Sequence, residues 1–191
     1  MVKYSTNNEE SEILPNLLNF DNLKDIEKSE FEGFLMAEIL LTEKLNIRTK
    51  FNIKYILDIH KLSLGHLYQF AGKYRTVNMS KGGFLFPSAQ FISENMNLFE
   101  KDILSKIPNK YKSKGDLIID ISKVHGELLF IHPFREGNGR TARLLANLMA
   151  RKQGIATLQF EKIRFEEYVI AVQKVSEKDY SFMEKLISTI I

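Results

Sequence analysis

The sequence contains no cysteine, only four prolines and no apolar run long enough to cross a bilayer. Each absence removes a class of protein. Without thiols there is no disulfide framework and no thiolate metal site, which suits a reducing cytoplasm. Without a membrane-length apolar segment or a secretory leader, no membrane partner is expected. The expectation is a cytoplasmic protein, with delivery into another cell by a specialised secretion system left open. Charge of one sign is also scarce: 27 Lys and Arg face 24 Asp and Glu, a net of +3. The basic residues are spread along the chain rather than massed, so no nucleic-acid partner is expected. There is no internal repeat and no linker that divides the chain.

What is present is a 191-residue chain, 44% hydrophobic and 27% charged, suited to one domain with a real core. Apolar spacing predicts helices over 23–45 and 53–67, the second with Ile53, Ile56, Leu57 and His60 on one stripe. A third, capped by Ser88, carries Phe91, Ile92, Met96, Phe99 and Ile103. A fourth runs over 117–130, and a fifth starts at Asn138 or Gly139 and stops at Gly154 in left-handed geometry. The last starts near Asp179. Residues 108–115 read as a solvated loop, and the first dozen residues as loosely ordered. Tyr74 to Phe86 reads as two short β-prone runs around Gly82-Gly83.

The densest chemistry lies at His132-Pro133-Phe134-Arg135-Glu136-Gly137-Asn138-Gly139-Arg140, followed by Arg143. Pro133 ends the fourth helix and is expected to bias Ile131-His132 towards extended geometry, presenting His132 at a helix exit. Phe134 is expected to plug the loop into the core. Gly137 and Gly139 let backbone approach a ligand closely. The N–H groups of the following helix's first turn then point at that ligand, and the helix dipole favours an anion. Arg140 and Arg143, three residues apart, share a face and can reach neighbouring phosphates. Glu136 is the one acid beside this anion site. It suggests Mg²⁺, held by one carboxylate and phosphate oxygens.

Singly, each residue has an ordinary reading. A histidine near a helix end is usually a satisfied structural residue, Gly-Asn-Gly a turn, and two helix arginines a solvated face. At these joint spacings the pattern is specific. His60, His66 and His125 have no metal-pair spacing and read as structural.

The stretch resembles the signature of the Fic family, His-x-Phe-x-(Asp/Glu)-Gly-Asn-Gly-Arg-x-x-Arg, and fits it at every defined position. The resemblance spans roughly 52–173. It implies a mainly α fold, a Fic-type helical bundle with a short β-hairpin flap over the active site. The chain then reads as a single domain, with 1–50 an N-terminal helical extension and about 52–173 the motif-bearing core. It also implies transfer of AMP from ATP to a Tyr, Thr or Ser hydroxyl of a target protein. His132 would be the general base, and Glu136 would hold Mg²⁺ against the α- and β-phosphates. Gly137, Asn138 and Gly139 would cradle the anion, with the Asn138 amide on the α-phosphate, and Arg140 and Arg143 would hold the outer phosphates. Lys81, Gly82, Gly83 and Phe84 would belong to the flap, which receives the target as an added strand. Tyr168 to Gln173 would wall the adenine.

Two matters stay open on the sequence. UMP, GMP or phosphocholine transfer, or a nucleotide-binding module without turnover, would share much of this motif. Many Fic proteins also carry an inhibitory helix, (Ser/Thr)-x-x-x-Glu-(Gly/Asn), whose Glu pairs with the second motif arginine, here Arg143. Glu32-Gly33 fits its end, but Lys28 stands where Ser or Thr belongs and Ser29 is one residue late. Glu32 is therefore an in-chain inhibitor through a degenerate motif or an ordinary exposed acid, and in the second case inhibition would come from an antitoxin-like partner.

Overall fold

The computed structural model describes residues 5–6, 13–81 and 83–191. The order is β1 (Ser5–Thr6), α1 (Leu23–Lys44), α2 (Ile53–Leu64), β2 (Met79–Lys81), β3 (Phe84–Leu85), α3 (Ile92–Asp102), α4 (Lys114–Ile131), α5 (Asn138–Lys152), α6 (Phe165–Val175) and α7 (Ser181–Ile190). The fold is mainly helical, as expected. Helix starts follow from side-chain caps. Asn22, Asn52 and Ser113 accept the N–H of Asp25, Tyr55 and Asp116, giving α1, α2 and α4 their first turns. Each such cap is worth about 1 kcal/mol.

α4 is the axis of the bundle, with α3, α5, α6 and α7 packed on it and α1 and α2 packed together over α5. Its Leu117, Ile121, Val124, Leu128 and Leu129 are buried, each contributing roughly 1.5–3 kcal/mol by leaving water. α5 ends as expected: Gly154 takes φ 78, and the N–H of Ile155 returns to Ala150 O at 3.1 Å.

Two expectations are corrected and one is extended. Ile131 closes α4 and His132 is left-handed, φ 52 and ψ 57, rather than extended. The following proline bars right-handed helix, and the left-handed cap turns the chain while the His132 N–H keeps Leu128 O at 3.1 Å. Ser88 does not cap α3. A 3₁₀ turn over Ala89–Phe91 precedes that helix, and the Ser88 hydroxyl donates to Asn78 instead. The expected hairpin forms as β2-β3, and Ser5–Thr6 adds antiparallel to the other side of β2, making a three-stranded sheet in the order β1-β2-β3.

Candidate active site

The loop 133–137 joins the C-terminus of α4 to the N-terminus of α5 and is held from several sides. Phe134 is fully buried, its ring 3.8 Å from that of His60 and nearly parallel to it. His60 Nδ1 accepts the Gly72 N–H at 2.8 Å, so its Nε2–H donates to Glu136 O at 2.9 Å. Burial lowers the His60 pKa to about 4, keeping this double bridge neutral. Asn138 clasps the loop, accepting the Phe134 N–H at 2.8 Å and donating to Phe134 O at 2.7 Å. Its side-chain amide, expected on a phosphate, thus gives its oxygen and one of its N–H donors to the loop.

His132 is 5% exposed. Its Nδ1 lies 3.0 Å from Leu129 O. A carbonyl only accepts, so Nδ1 carries the proton and Nε2 is the basic nitrogen. Burial lowers the His132 pKa to about 3, with the charges of Arg75 and Lys81 acting in the same direction. The imidazole is therefore neutral at pH 7 and able to take a proton. Phe86, just past β3, stacks on it at 3.7 Å between centroids.

Glu136 is buried, and its Oε1 accepts the Gly137 N–H at 2.8 Å. Gly137 takes φ 77 and sits against Leu64 and Phe34. From there α5 begins, and its first-turn N–H groups have no carbonyl within the helix to receive them. These donors lie beside the Glu136 carboxylate, an arrangement that suits an anion. One carboxylate with open backbone donors and two nearby arginines fits Mg²⁺ held largely by phosphate oxygens. Among the described residues there is no cluster of three or more acids or histidines that would hold a metal alone.

The two arginines differ. Arg140 pairs with Glu30 at 2.7 Å, lies 3.4 Å from Glu136 and stacks over the Phe34 ring at 4.9 Å. Glu30 is almost wholly buried and also accepts the Tyr68 hydroxyl at 2.7 Å. Arg143 is exposed one turn on, and its charge is felt by Lys81 and by Tyr168. Lys81 is likewise influenced by Glu136, so this flap residue shares the site's field. Phe84 packs edge-on to Phe86 and faces Phe130. Gly83 takes φ 80 in the turn, while Gly82 lies outside the described residues. Tyr168 donates to His125 Nε2, whose Nδ1–H is on Ala142 O at 3.1 Å.

Glu32 is not brought to either arginine. It is exposed and 3.9 Å from Lys28. The α1 carboxylate that reaches the motif is Glu30, which the sequence reading passed over. Its signal was present: Ile26, Glu30, Phe34 and Ala37 repeat on the buried face of α1, and an acid on such a stripe needs a partner. Arg75 and Phe86, which hold and cover His132, were also missed. No local pattern marks them, because each reaches His132 from a distant part of the chain.

The Fic/DOC family model matches residues 50–150, more than half of the chain. The chain belongs to the Fic/DOC family. Among curated relatives, the protein adenylyltransferase Fic of Nematostella vectensis is 34% identical over 114 residues, covering 59% of this chain and 25% of its own length. That of Aedes aegypti is 33% identical over 133 residues, covering 66% and 25%. The chain thus spans about a quarter of the length of these relatives. Fic-domain structures share the fold. Bep8 of Bartonella sp. 1-1C superposes with a TM-score of 0.79 at 23% identity, covering 97% of this chain and 93% of its own. BepC of Bartonella tribocorum, solved with bound AMPPNP, gives 0.77 at 18%, covering 96% and 94%.

Proposed function

We propose that this Fic protein transfers AMP from ATP to a Tyr, Thr or Ser hydroxyl of a target protein. The observation that carries the reading is His132, a neutral histidine with its proton fixed on Nδ1, set where the α4 C-terminus meets the anion-binding start of α5. In the reaction Nε2 takes the hydroxyl proton as the oxygen attacks the α-phosphorus. The bond from the α-phosphorus to the bridging oxygen breaks, and pyrophosphate leaves. The backbone N–H groups of Asn138 and Gly139 line the anion cradle, and Gly137, whose own N–H is held by Glu136 Oε1, gives the left-handed turn that leads into them. Arg140 and Arg143 hold the outer phosphates and offset the charge that gathers on the leaving group. Glu136 would hold Mg²⁺, which supplies charge neutralisation at the α- and β-phosphates when bound. Lys81, Gly82, Gly83 and Phe84 would form the surface on which the target docks as an extended strand. The names of the curated relatives and the AMPPNP bound by BepC support an adenine nucleotide, and Tyr168 to Gln173 on α6 is the wall assigned to the base. An exposed Glu32, 3.9 Å from Lys28 and not on Arg143, speaks against Glu32 as an in-chain inhibitor, so we assign that role to an antitoxin-like partner.

The test is incubation with Mg²⁺ and either α-³²P-ATP or γ-³²P-ATP, read on a denaturing gel for wild type and His132→Ala. Label from the α position alone, lost in His132→Ala, is the expected result. Label from neither position, with ATP binding equal in both proteins, would replace the enzyme by a nucleotide-binding module.

A further inference from the structure

Arg75 has no place in the motif, yet it is 4% exposed and touches the catalytic loop. Its Nε–H donates to His132 O at 2.7 Å, its Nη1 to Val77 O at 2.5 Å and its Nη2 to Pro87 O at 2.6 Å. Its own backbone N–H donates to Pro133 O at 2.8 Å. Val77 lies just before β2 and Pro87 just after β3. One guanidinium therefore grips both stems of the hairpin and the carbonyl of His132. No carboxylate pairs with it in an ion pair among the described residues; carbonyls take the role of counter-charge.

The arrangement uses what only arginine has. Three different nitrogens of a rigid planar fork reach three backbone segments in three directions, whereas a lysine offers its donors from a single nitrogen. The segment held most directly is also strained. His132 is a non-glycine residue in left-handed geometry, φ 52, which costs about 1–2 kcal/mol and persists only where surrounding contacts over-determine it. Arg75 supplies contacts on both sides of its peptide bond to Pro133. By contrast, Asn78 ties only the hairpin stems together, accepting from the Ala89 N–H at 2.8 Å and the Ser88 hydroxyl at 3.2 Å.

We propose that Arg75 is a positioning residue of the transfer site, fixing His132 and the flap in one frame so that the base and the docked hydroxyl keep their separation. This rests on His132 as base and the hairpin as flap. Catalysis of in-line attack is sensitive to such placement: a displacement of about 1 Å costs up to roughly a hundredfold in rate.

The experiment compares full-length wild type, Arg75→Met, Arg75→Lys and Asn78→Ala by amide hydrogen exchange, and by α-³²P-ATP self-labelling as a function of MgATP concentration. In Arg75→Met, exchange of the hairpin (79–86) and of 131–135 should quicken together by about tenfold or more, with α5 unchanged. The kcat for labelling should fall by about tenfold or more at an unaltered KM for ATP. Arg75→Lys should fall short of wild type in the same two segments, and it decides the matter should Arg75→Met fail to fold. Asn78→Ala should quicken the hairpin alone. Exchange at 131–135 that stays at the wild-type rate in Arg75→Lys, or in a folded Arg75→Met, overturns the proposal. If wild type transfers nothing, the functional reading fails while the exchange data still decide whether Arg75 couples the two segments.

Discussion

Gly137 and Gly139 stand two residues apart in one motif, and the structure predicts opposite consequences for replacing them. An alanine at Gly137 would have to hold φ 77, and its Cβ would lie 2.8 Å from Leu64 Cδ1 and 3.3 Å from Phe34 Cζ. The left-handed backbone costs about 1–2 kcal/mol and the overpacking about 1–3 kcal/mol. Gly137→Ala should therefore lose about 2–5 kcal/mol of stability, a large share of the roughly 5–15 kcal/mol that holds a domain folded. At Gly139 a Cβ meets nothing within 4 Å and the residue is in the first turn of α5. Alanine is the better helix former by up to about 1 kcal/mol, so Gly139→Ala should be as stable as wild type or slightly more. No neighbour within the chain requires that second glycine, and on the proposed reading its use is to let a bound phosphate approach the backbone. Gly139→Ala should therefore weaken MgATP binding by about tenfold or more while Gly139 itself leaves the fold indifferent. Urea unfolding followed by circular dichroism gives the stabilities, and calorimetric titration with MgATP gives the affinity. A Gly137→Ala variant within about 1 kcal/mol of wild type, or a Gly139→Ala variant that loses as much as Gly137→Ala, would refute the reasoning.

Three further outcomes are expected. Burial lowers the pKa of His60 to about 4 and of His125 and His132 to about 3. The unfolded chain, with histidines near 6.5, then binds protons first as pH falls. Stability should be full above about pH 6.5 and drop below it, by up to about 1.4 kcal/mol per pH unit for each histidine; urea midpoints that stay level from pH 7.5 to 5 would contradict this. Glu30→Gln removes the charged partner of the partly exposed Arg140 and should cost about 1.5–3 kcal/mol, the worth of a hydrogen bond to a charged group, while Glu32→Gln should leave the unfolding midpoint where it is. Phe86→Ala uncovers His132, so its ring titration by NMR should move up from about 3 towards the ordinary histidine value; an unmoved titration would show that burial by Phe86 is not the cause.

Much of this site was legible because its parts are neighbours in the chain. Residues 132 to 143 form one helix end, one loop and one helix start, so spacing alone places His132, Glu136 and the first turn of α5 together. The helices were legible from apolar spacing, and Gly154 stops α5 where the apolar stripe ends; the caps at Asn22, Asn52 and Ser113 emerged only in the structure, while Ser88, read as a cap, is not one. Even the missed Glu30 was visible as an acid on a buried stripe, though its partner was not.

What the sequence by itself determined is a helical family member with a histidine, an acid and two glycines at fixed spacing, because backbone geometry and short-range periodicity carry that information. Tertiary structure alone decided what each group does with its neighbours. It set Asn138 against Phe134 rather than facing outward, put the unforeseen Glu30 on Arg140, and left Glu32 at the surface beside Lys28 instead of on Arg143. It also brought Arg75, fifty-seven positions away, onto the carbonyl of His132. A hydrogen bond or ion pair depends on distances of about 3 Å, and between remote segments those distances exist only after α1, the hairpin and α4 have packed around one core.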